Sequence, residues 1–232
     1  MTSFPLDEDL LEAFCADPAA GPRLRVWQPP GVAVVLGRGN RPERELHLDA
    51  CRADGVPVLR RRGGGGAVVL GPGCVVVSLV RRVDRPTALG AHMGFAVGAI
   101  ADGVARLGGP RLLPRGHGDL CVGERKVLGS SAFRRRDVFF YQGSLLVAFD
   151  LGLVERYLRH PSREPVYRQG RPHRAFLTTL VGEGSTRGAE AMARGLCVSL
   201  RERLGLDGVA GPAPPSRPTG GCWIGSPAHR AR

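Results

Sequence analysis

At 232 residues the chain has the size of one α/β domain, or of one domain with a small appendage. Its 43% hydrophobic and 23% charged residues are ordinary for a globular protein. No apolar run reaches the ~18 to 20 residues that would cross a bilayer, and the start Met1–Asp9 lacks the basic and apolar parts of a signal peptide, so the expectation is a cytoplasmic protein with no membrane partner. The net charge is +12, and 33 lysines and arginines include a single lysine, Lys126. The arginines reflect either a coding bias or a surface that draws an acidic partner. No helix-turn-helix, zinc-finger or RNA-binding-sheet signature accompanies them, which makes nucleic acid the least favoured partner.

In chain order, Asp7 to Ala16 has the apolar stripe of an amphipathic helix. Leu24–Trp27 and Val32–Leu36 read as short strands joined by a Pro29-Pro30-Gly31 turn. Glu43 to Ala53 follows as a short helix, then strands at Val56–Arg60, Ala67–Leu70 and Val75–Val80. Thr87 to Leu107 is proline-free with helical spacing and ends at Gly108-Gly109-Pro110, so it is the longest predicted helix. Strands are expected at Arg111–Leu113, Asp119–Val122, Lys126–Phe133 and Val138–Phe149, with helices at Val154–Arg159 and Ala189–Leu204. The pattern predicts an α+β fold, a central mixed or antiparallel sheet flanked by helices. The catalytic domain is placed at 1–207, and 208–232, rich in Gly, Pro and Arg, is expected to be a mobile tail.

The six cysteines are scattered singly, which suggests neither a zinc site nor a disulfide framework. Two segments carry the chemical signal. Arg60-Arg61-Arg62 precedes Gly63-Gly64-Gly65-Gly66-Ala67 and a β-branched run; such a loop lets backbone N–H groups approach an anion, and the arginines suit phosphate or carboxylate. The missing Gly-Lys-Ser/Thr excludes a P-loop. Lys126, followed by the small residues Gly129, Ser130 and Ser131, is a lone point charge with room for a bulky ligand beside it. Together they suggest a carboxylate activated as an adenylate, with the ammonium stabilising charge during transfer. Asp119 is the carboxylate best placed for Mg²⁺, or else a turn residue or arginine partner. His117 is a base or a solvated turn residue.

These segments resemble the biotin/lipoate protein ligase superfamily, in its lipoate–protein ligase and octanoyltransferase branch. Val34–Asn40 is similar to the early "VxxGRxQN" strand and turn, and Arg60–Val68 to the "RRxxGGGAV" signature. Asp119-Leu120 with Arg125-Lys126-Val127 and Gly129-Ser130 is similar to "NDL…rKvsGsA". Tyr141–Leu146 is similar to "HHGTLL", and Tyr167–His173 with Phe176–Leu180 to a closing motif of some short members. The likeness covers about residues 26 to 205. Gly118 stands where the family has Asn, and Gln142 where it has His.

The resemblance implies a class II biotin/lipoate ligase-like domain binding a lipoyl- or octanoyl-adenylate in a bent tunnel. Lys126 falls on the essential lysine, and Arg62 with the glycines on the adenylate-binding loop. It implies lipoate or octanoate as substrate, with ATP and Mg²⁺ for a ligase, and lipoyl domains of 2-oxoacid dehydrogenases or the glycine-cleavage H protein as partners, with or without an accessory protein. A basic mouth near Arg134, Arg135 and Arg136 would speed capture of an acidic carrier. An ATP-dependent ligase is preferred over transfer from a carrier thioester, because no cysteine stands at a recognisable nucleophile position; Cys121 is the nearest. A catalytically idle acyl-binding member and a biotin–protein ligase are the other readings.

Overall fold

The computed structural model describes residues 6–83 and 89–206. A six-stranded antiparallel sheet forms its centre. In chain order the strands are β1 (Arg23–Trp27), β5 (Cys74–Arg82), β6 (Leu113–Arg115), β7 (Asp119–Val122), β8 (Arg125–Arg135) and β9 (Val138–Leu146), hydrogen-bonded in the order β1-β5-β9-β8-β7-β6. A second sheet holds β2 (Ala33–Leu36) between β3 (Val58–Arg60) and β4 (Val68–Leu70), parallel to the first and antiparallel to the second. The expected α+β class with mixed and antiparallel pairing is what is found.

Two long helices, α4 (Leu89–Arg106) and α7 (Ala189–Leu204), cover one face of the large sheet. Ala96, Val97, Ile100 and Val104 recur at helical spacing and are buried on α4, facing Met192, Ala193, Leu196 and Leu200 of α7. The pair is close because glycines sit at the contact. A Cβ on Gly103 would lie 2.8 Å from Leu196, and one on Gly195 would lie 2.4 Å from Leu107. Gly108 (φ 74°) and Gly205 (φ 64°) end the helices in the left-handed conformation that a side chain would strain.

The other face of β5 meets the small sheet, so β5 is buried on both sides and reads as a nearly continuous apolar run. Beyond the small sheet lie α2 (Pro42–Glu45), α3 (Leu48–Ala53), α5 (Gly152–Tyr157) and α6 (His173–Phe176), while α1 (Glu8–Ala16) packs Leu10, Leu11 and Phe14 against β5 and β9. The expected Glu43–Ala53 helix is two helices, because Leu46 leaves helical geometry (φ −124°, ψ 149°) to bridge Leu158. The strands flanking Pro29-Pro30-Gly31 do not pair with each other; β1 joins the large sheet and β2 the small one. Thr87 and the 208–232 tail lie outside the described residues.

One exposed tie joins α3 to α5. Asp54 accepts hydrogen bonds from Tyr157 Oη (2.8 Å) and Arg156 Nη2 (2.6 Å), and these hold its carboxyl at about 2 instead of the ordinary 3.8. A depressed folded-state pKa contributes stability that is present above 3.8 and lost as pH falls towards about 2. Melting temperatures measured through that window should fall less steeply for Asp54→Asn than for the wild type; parallel curves would show that the tie contributes nothing.

Candidate active site

Lys126 reaches its position through an extra residue in β8. Leu128 pairs with Leu120 and Lys126 pairs with the next residue, Cys121, leaving Val127 as a bulge. Strict alternation would point Lys126 into the helix-covered core beside Leu128. The bulge sends both Val127 and Leu128 into that core and turns Lys126 to the opposite face, with Gly129. There Lys126 Nζ lies 2.8 Å from Asp119 Oδ1, and Tyr167 Oη donates to Asp119 Oδ2 at 2.7 Å. A Cβ on Gly129 would sit 2.9 Å from both Cε and Nζ of Lys126, so any side chain there would push the ammonium from this position.

The floor beside the lysine follows from strand register. Trp27, Val76, Ser144 and Gly129 lie opposite one another on β1, β5, β9 and β8, and all four line one apolar limb of a cavity. Val35 and Leu70 of the small sheet form its roof. A second limb carries Arg159, Arg163, Arg168 and His173 on a lining that is otherwise largely apolar, with Leu146, Leu158, Phe176 and Leu177 among it. Both limbs are walled by Gly66, Ala67, Val68, Lys126, Gly129 and Ser144, which puts the ammonium at the bend. The second limb is rigid on its arginine side. Arg168 is buried, bonded to Glu164 (3.4 Å) and the Arg171 carbonyl (2.9 Å), and stacked over Phe176 at 4.8 Å. Burial lowers the pKa of His173, whose Nε2 contacts the Arg159 carbonyl at 3.0 Å.

The glycine loop is held from within by arginines. Arg60 Nη1 donates to the carbonyls of Gly37, Arg38 and Asn40 at 2.9 to 3.0 Å. Arg61, 8% exposed, donates to the carbonyls of Gly64 (2.6 Å) and Gly66 (2.8 Å), and burial pulls its pKa down to about 10. Arg61 lines the apolar limb at its polar edge, whereas the sequence pointed to Arg62. The chain bends at Arg62 after β3 ends, and Arg62 faces outward to pair with Glu8 (3.2 Å) and Glu12 (3.1 Å) of α1. Of the four glycines, Gly66 lines both limbs, Gly63 packs on Ser131 and Gly65 holds φ 89°. Gly64 faces open space. Ser130 and Ser131 line the apolar limb, Ser130 bonded to the Gly118 carbonyl at 2.6 Å.

Asp119 does not line either limb, and both its oxygens are engaged. Among the described residues no cluster of three or more His, Cys, Asp or Glu could hold a metal ion. The expected Mg²⁺ role of Asp119 would need the carboxylate to give up Lys126 or Tyr167, to which both its oxygens are committed. His117 is exposed on the turn between β6 and β7, away from both limbs. Cys121 is fully buried, its Sγ 3.7 Å from Tyr167 Oη, and burial raises its thiol pKa. Among the described residues no cysteine lines either limb. Tyr167, Arg159 and Arg163 were not singled out as site residues from sequence; the one signal for Tyr167 was its place in the Tyr167–His173 motif.

The two departures from the family pattern have local reasons. A Cβ on Gly118 (φ 145°) would lie 2.4 Å from both Met93 Cε and Ser130 Oγ, so no asparagine fits. Gln142 donates through Nε2 to the Leu6 carbonyl.

Glycine requirements can be separated by stability. A Cβ on Gly37 would lie 2.0 Å from the Gly65 carbonyl oxygen, a contact between backbones that neither can relieve by a rotamer change. Gly37→Ala should lower unfolding free energy in urea by about 1–3 kcal/mol, while Gly64→Ala should change it by less than about 0.5 kcal/mol. Equal effects would mean that the loop is not seated on Gly37.

Residues 1–188 match the family model described as the lipoyl protein ligase A/B catalytic domain. The protein named "Putative lipoate-protein ligase A" of Aeropyrum pernix is 34% identical over 153 residues, covering 65% of this chain and 55% of its own length. "Octanoyltransferase LipM" of Symbiobacterium thermophilum is 31% identical over 176 residues, covering 66% and 63%. The chain thus spans less than two thirds of the curated relatives it matches. The bi-partite lipoate protein ligase of Thermoplasma acidophilum superposes with a TM-score of 0.73 at 23% identity, over 86% of this chain and 77% of that one. A lipoate-protein ligase A bound with ATP gives the same score and identity over 88% and 80%. With the two-limbed cavity and its lysine in the expected fold, the family match over most of the length decides the classification: the chain belongs to the lipoyl protein ligase A/B catalytic-domain family.

Proposed function

We propose that the protein attaches a lipoyl or octanoyl group to a lysine of an acyl-carrier (lipoyl) domain, through an acyl-adenylate. The observation that carries this is the position of Lys126, which is shared by the limb that holds Leu6 and Trp27 and by a second limb that sets three arginines among apolar residues. The apolar limb suits an acyl chain and the arginine limb a polyanion, so a carboxylate–phosphate junction falls at the ammonium. In the reaction the acid's carboxylate oxygen attacks the α-phosphorus of ATP and pyrophosphate leaves. The carrier amine then attacks the acyl carbon, loses its proton, and AMP departs with the bond electrons. Lys126 stays protonated and stabilises negative charge on the acyl and phosphate oxygens, more so when water is excluded. Asp119 and Tyr167 fix where that charge lies.

Transfer from an acyl thioester is the second reading, favoured by the relative named an octanoyltransferase. It needs a nucleophilic thiol beside the acyl carbon. Cys121 is a poor one, since it is sealed from the cavity and its thiolate is disfavoured by burial.

The expectation of a basic mouth moves. Arg134 and Arg135 end β8 and Arg136 follows it, about 26 to 33 Å from Lys126 at ~3.3 Å per residue. Of the arginines on the limb next to Lys126, Arg159 and Arg163 are the exposed ones and Arg168 is buried, and we assign the exposed pair the approach of an acidic carrier.

The test is lipoylation of a purified lipoyl domain, followed by mass. Free lipoate or octanoate with ATP should support it, with or without an accessory protein, and Lys126→Ala should reduce the rate by about 10²-fold or more, as for loss of one preorganised charge donor. Cys121→Ser should keep most activity. Acyl thioester as the sole donor, with activity abolished in Cys121→Ser, would overturn the ligase reading in favour of the transferase.

Salt offers an independent check. Rates should fall as ionic strength rises, and Arg163→Glu should slow carrier association while Arg135→Glu should not. The opposite ranking would place the carrier at the far end of β8.

A further inference from the structure

Leu6 lines the apolar limb beside Trp27, at the other end of the floor row from Lys126, and the way it is anchored has consequences for substrate choice. One pleat pair beyond the floor row of Trp27, Val76, Ser144 and Gly129 lies a second row on the same face: Arg25, Ser78, Gln142 and Ser131. Every member is polar, an unusual strip within a β-sheet that faces an apolar cavity. Asp7 occupies it. Its carboxylate is fully buried and accepts hydrogen bonds from Arg25 Nη1 (2.9 Å), Trp27 Nε1 (2.9 Å) and Ser78 Oγ (2.5 Å). Arg25, 6% exposed, is completed by a second carboxylate, Asp9, at 2.7 Å. Gln142 of the same row holds the Leu6 carbonyl.

This polar clasp fixes both Leu6 and Trp27, which face the cavity. Leu6 is buried against Trp27, Val35, Leu70 and Val76, the apolar group at the opposite end of the floor row from Gly129 and Lys126. Asp7 holds a left-handed backbone (φ 58°), a conformation that aspartate takes more readily than most side chains. A buried ion pair is weak evidence for stability, but it is a firm way to fix geometry.

We propose that Leu6, held by the Asp7 clasp, is the residue that sets the acyl-chain length this cavity accepts. The inference rests on the acyl-transfer reading above. A chain whose carboxyl lies at Lys126 runs along the floor row and meets the Leu6 side chain at its end. Shortening that side chain opens space in line with the acyl tail, and enlarging it removes space. The clasp keeps Leu6 from swinging aside for a longer chain.

Calorimetric affinities of straight-chain acids from hexanoate to myristate, measured on wild type, Leu6→Ala, Leu6→Phe and Asp7→Asn, test this without requiring catalysis. Leu6→Ala should move the best-bound acid to one about two carbons longer, binding it about tenfold tighter than wild type does, the worth of two more buried methylenes. Leu6→Phe should move the optimum to a shorter acid. Asp7→Asn should flatten the profile, because the end wall is no longer pinned. The two Leu6 variants leave the clasp intact, so they decide the matter even where Asp7→Asn fails to fold. A length optimum unmoved in both Leu6 variants overturns the inference while leaving acyl binding in place. A wild-type protein that binds none of these acids overturns the acyl-transfer reading and the inference with it.

Discussion

A lysine ammonium beside an open cavity has to be held against four rotatable bonds, and the Asp119 carboxylate holds this one from a neighbouring strand. That ion pair is possible only because β8 carries Val127 as an extra residue, which turns Lys126 to the cavity face, and because Gly129 has no side chain where the lysine passes. The carboxylate is itself pinned by Tyr167, from the segment that later crosses back over the sheet. The same segment bonds the lysine's own backbone, since Thr178 N–H donates to the Lys126 carbonyl at 3.0 Å and Leu177 bridges Lys126 in parallel. Three separate stretches of chain therefore determine one charge. That is the pre-organisation which electrostatic stabilisation of a transition state requires, and it explains why a site can be built on a single cation of modest strength.

The glycine loop works by a different economy. Its arginines look like ligands for an anion, but Arg60 and most of Arg61's donors are spent on backbone carbonyls of the loop and of the turn after β2. They do the task that a ladder of backbone hydrogen bonds does in a strand, for a segment that has no strand partner. A glycine run this close to β8 could not otherwise keep one conformation, because glycine has the most freedom to lose. The interior location of Arg61 has a cost, visible in its lowered pKa, and the fork of donors offsets it. The loop's contribution to an anion site is thus its shape and its single inward guanidinium, and the outward Arg62 serves instead to tie α1 to the loop.

Much of this was legible in the residues. The helices α4 and α7 and most strands follow from apolar period, and the lone lysine beside Gly129 marked the site because its type was improbable among so many arginines. What escaped had long-range causes. The break at Leu46 answers to Leu158, more than a hundred residues away, and no local propensity encodes that bridge. The division of β1 and β2 between two sheets is a matter of partner strands, since each alone is an ordinary apolar run. Arg61 and Arg62 are chemically identical, so only the direction of the backbone at the end of β3 distinguishes them. For Asp119 the sequence leaves a metal ligand, a turn residue and an arginine partner open, and none of these points to the cation it pairs with, Lys126, because the two meet only through the pairing of β7 with β8. The bulge left one trace, the adjacent apolar pair Val127-Leu128 in an otherwise alternating strand, and that trace explains why both point inward.

The choice of lysine at this one point can be argued from the space around it. An arginine there would bring a planar guanidinium with a wider reach into a gap where even a methyl on Gly129 would touch Cε and Nζ at 2.9 Å. Arginine would pair with Asp119 through two parallel bonds, and Asp119 Oδ2 is already taken by Tyr167. A compact ammonium uses one oxygen of Asp119 and keeps its other donors for whatever lies at the bend of the cavity. The second limb has no such restriction, and there the chain uses arginines, buried and stacked as at Arg168 or cavity-lining as at Arg159 and Arg163. The two kinds of cation thus divide along the cavity by geometry: planar forks on the second limb, and a compact point charge where the two limbs meet.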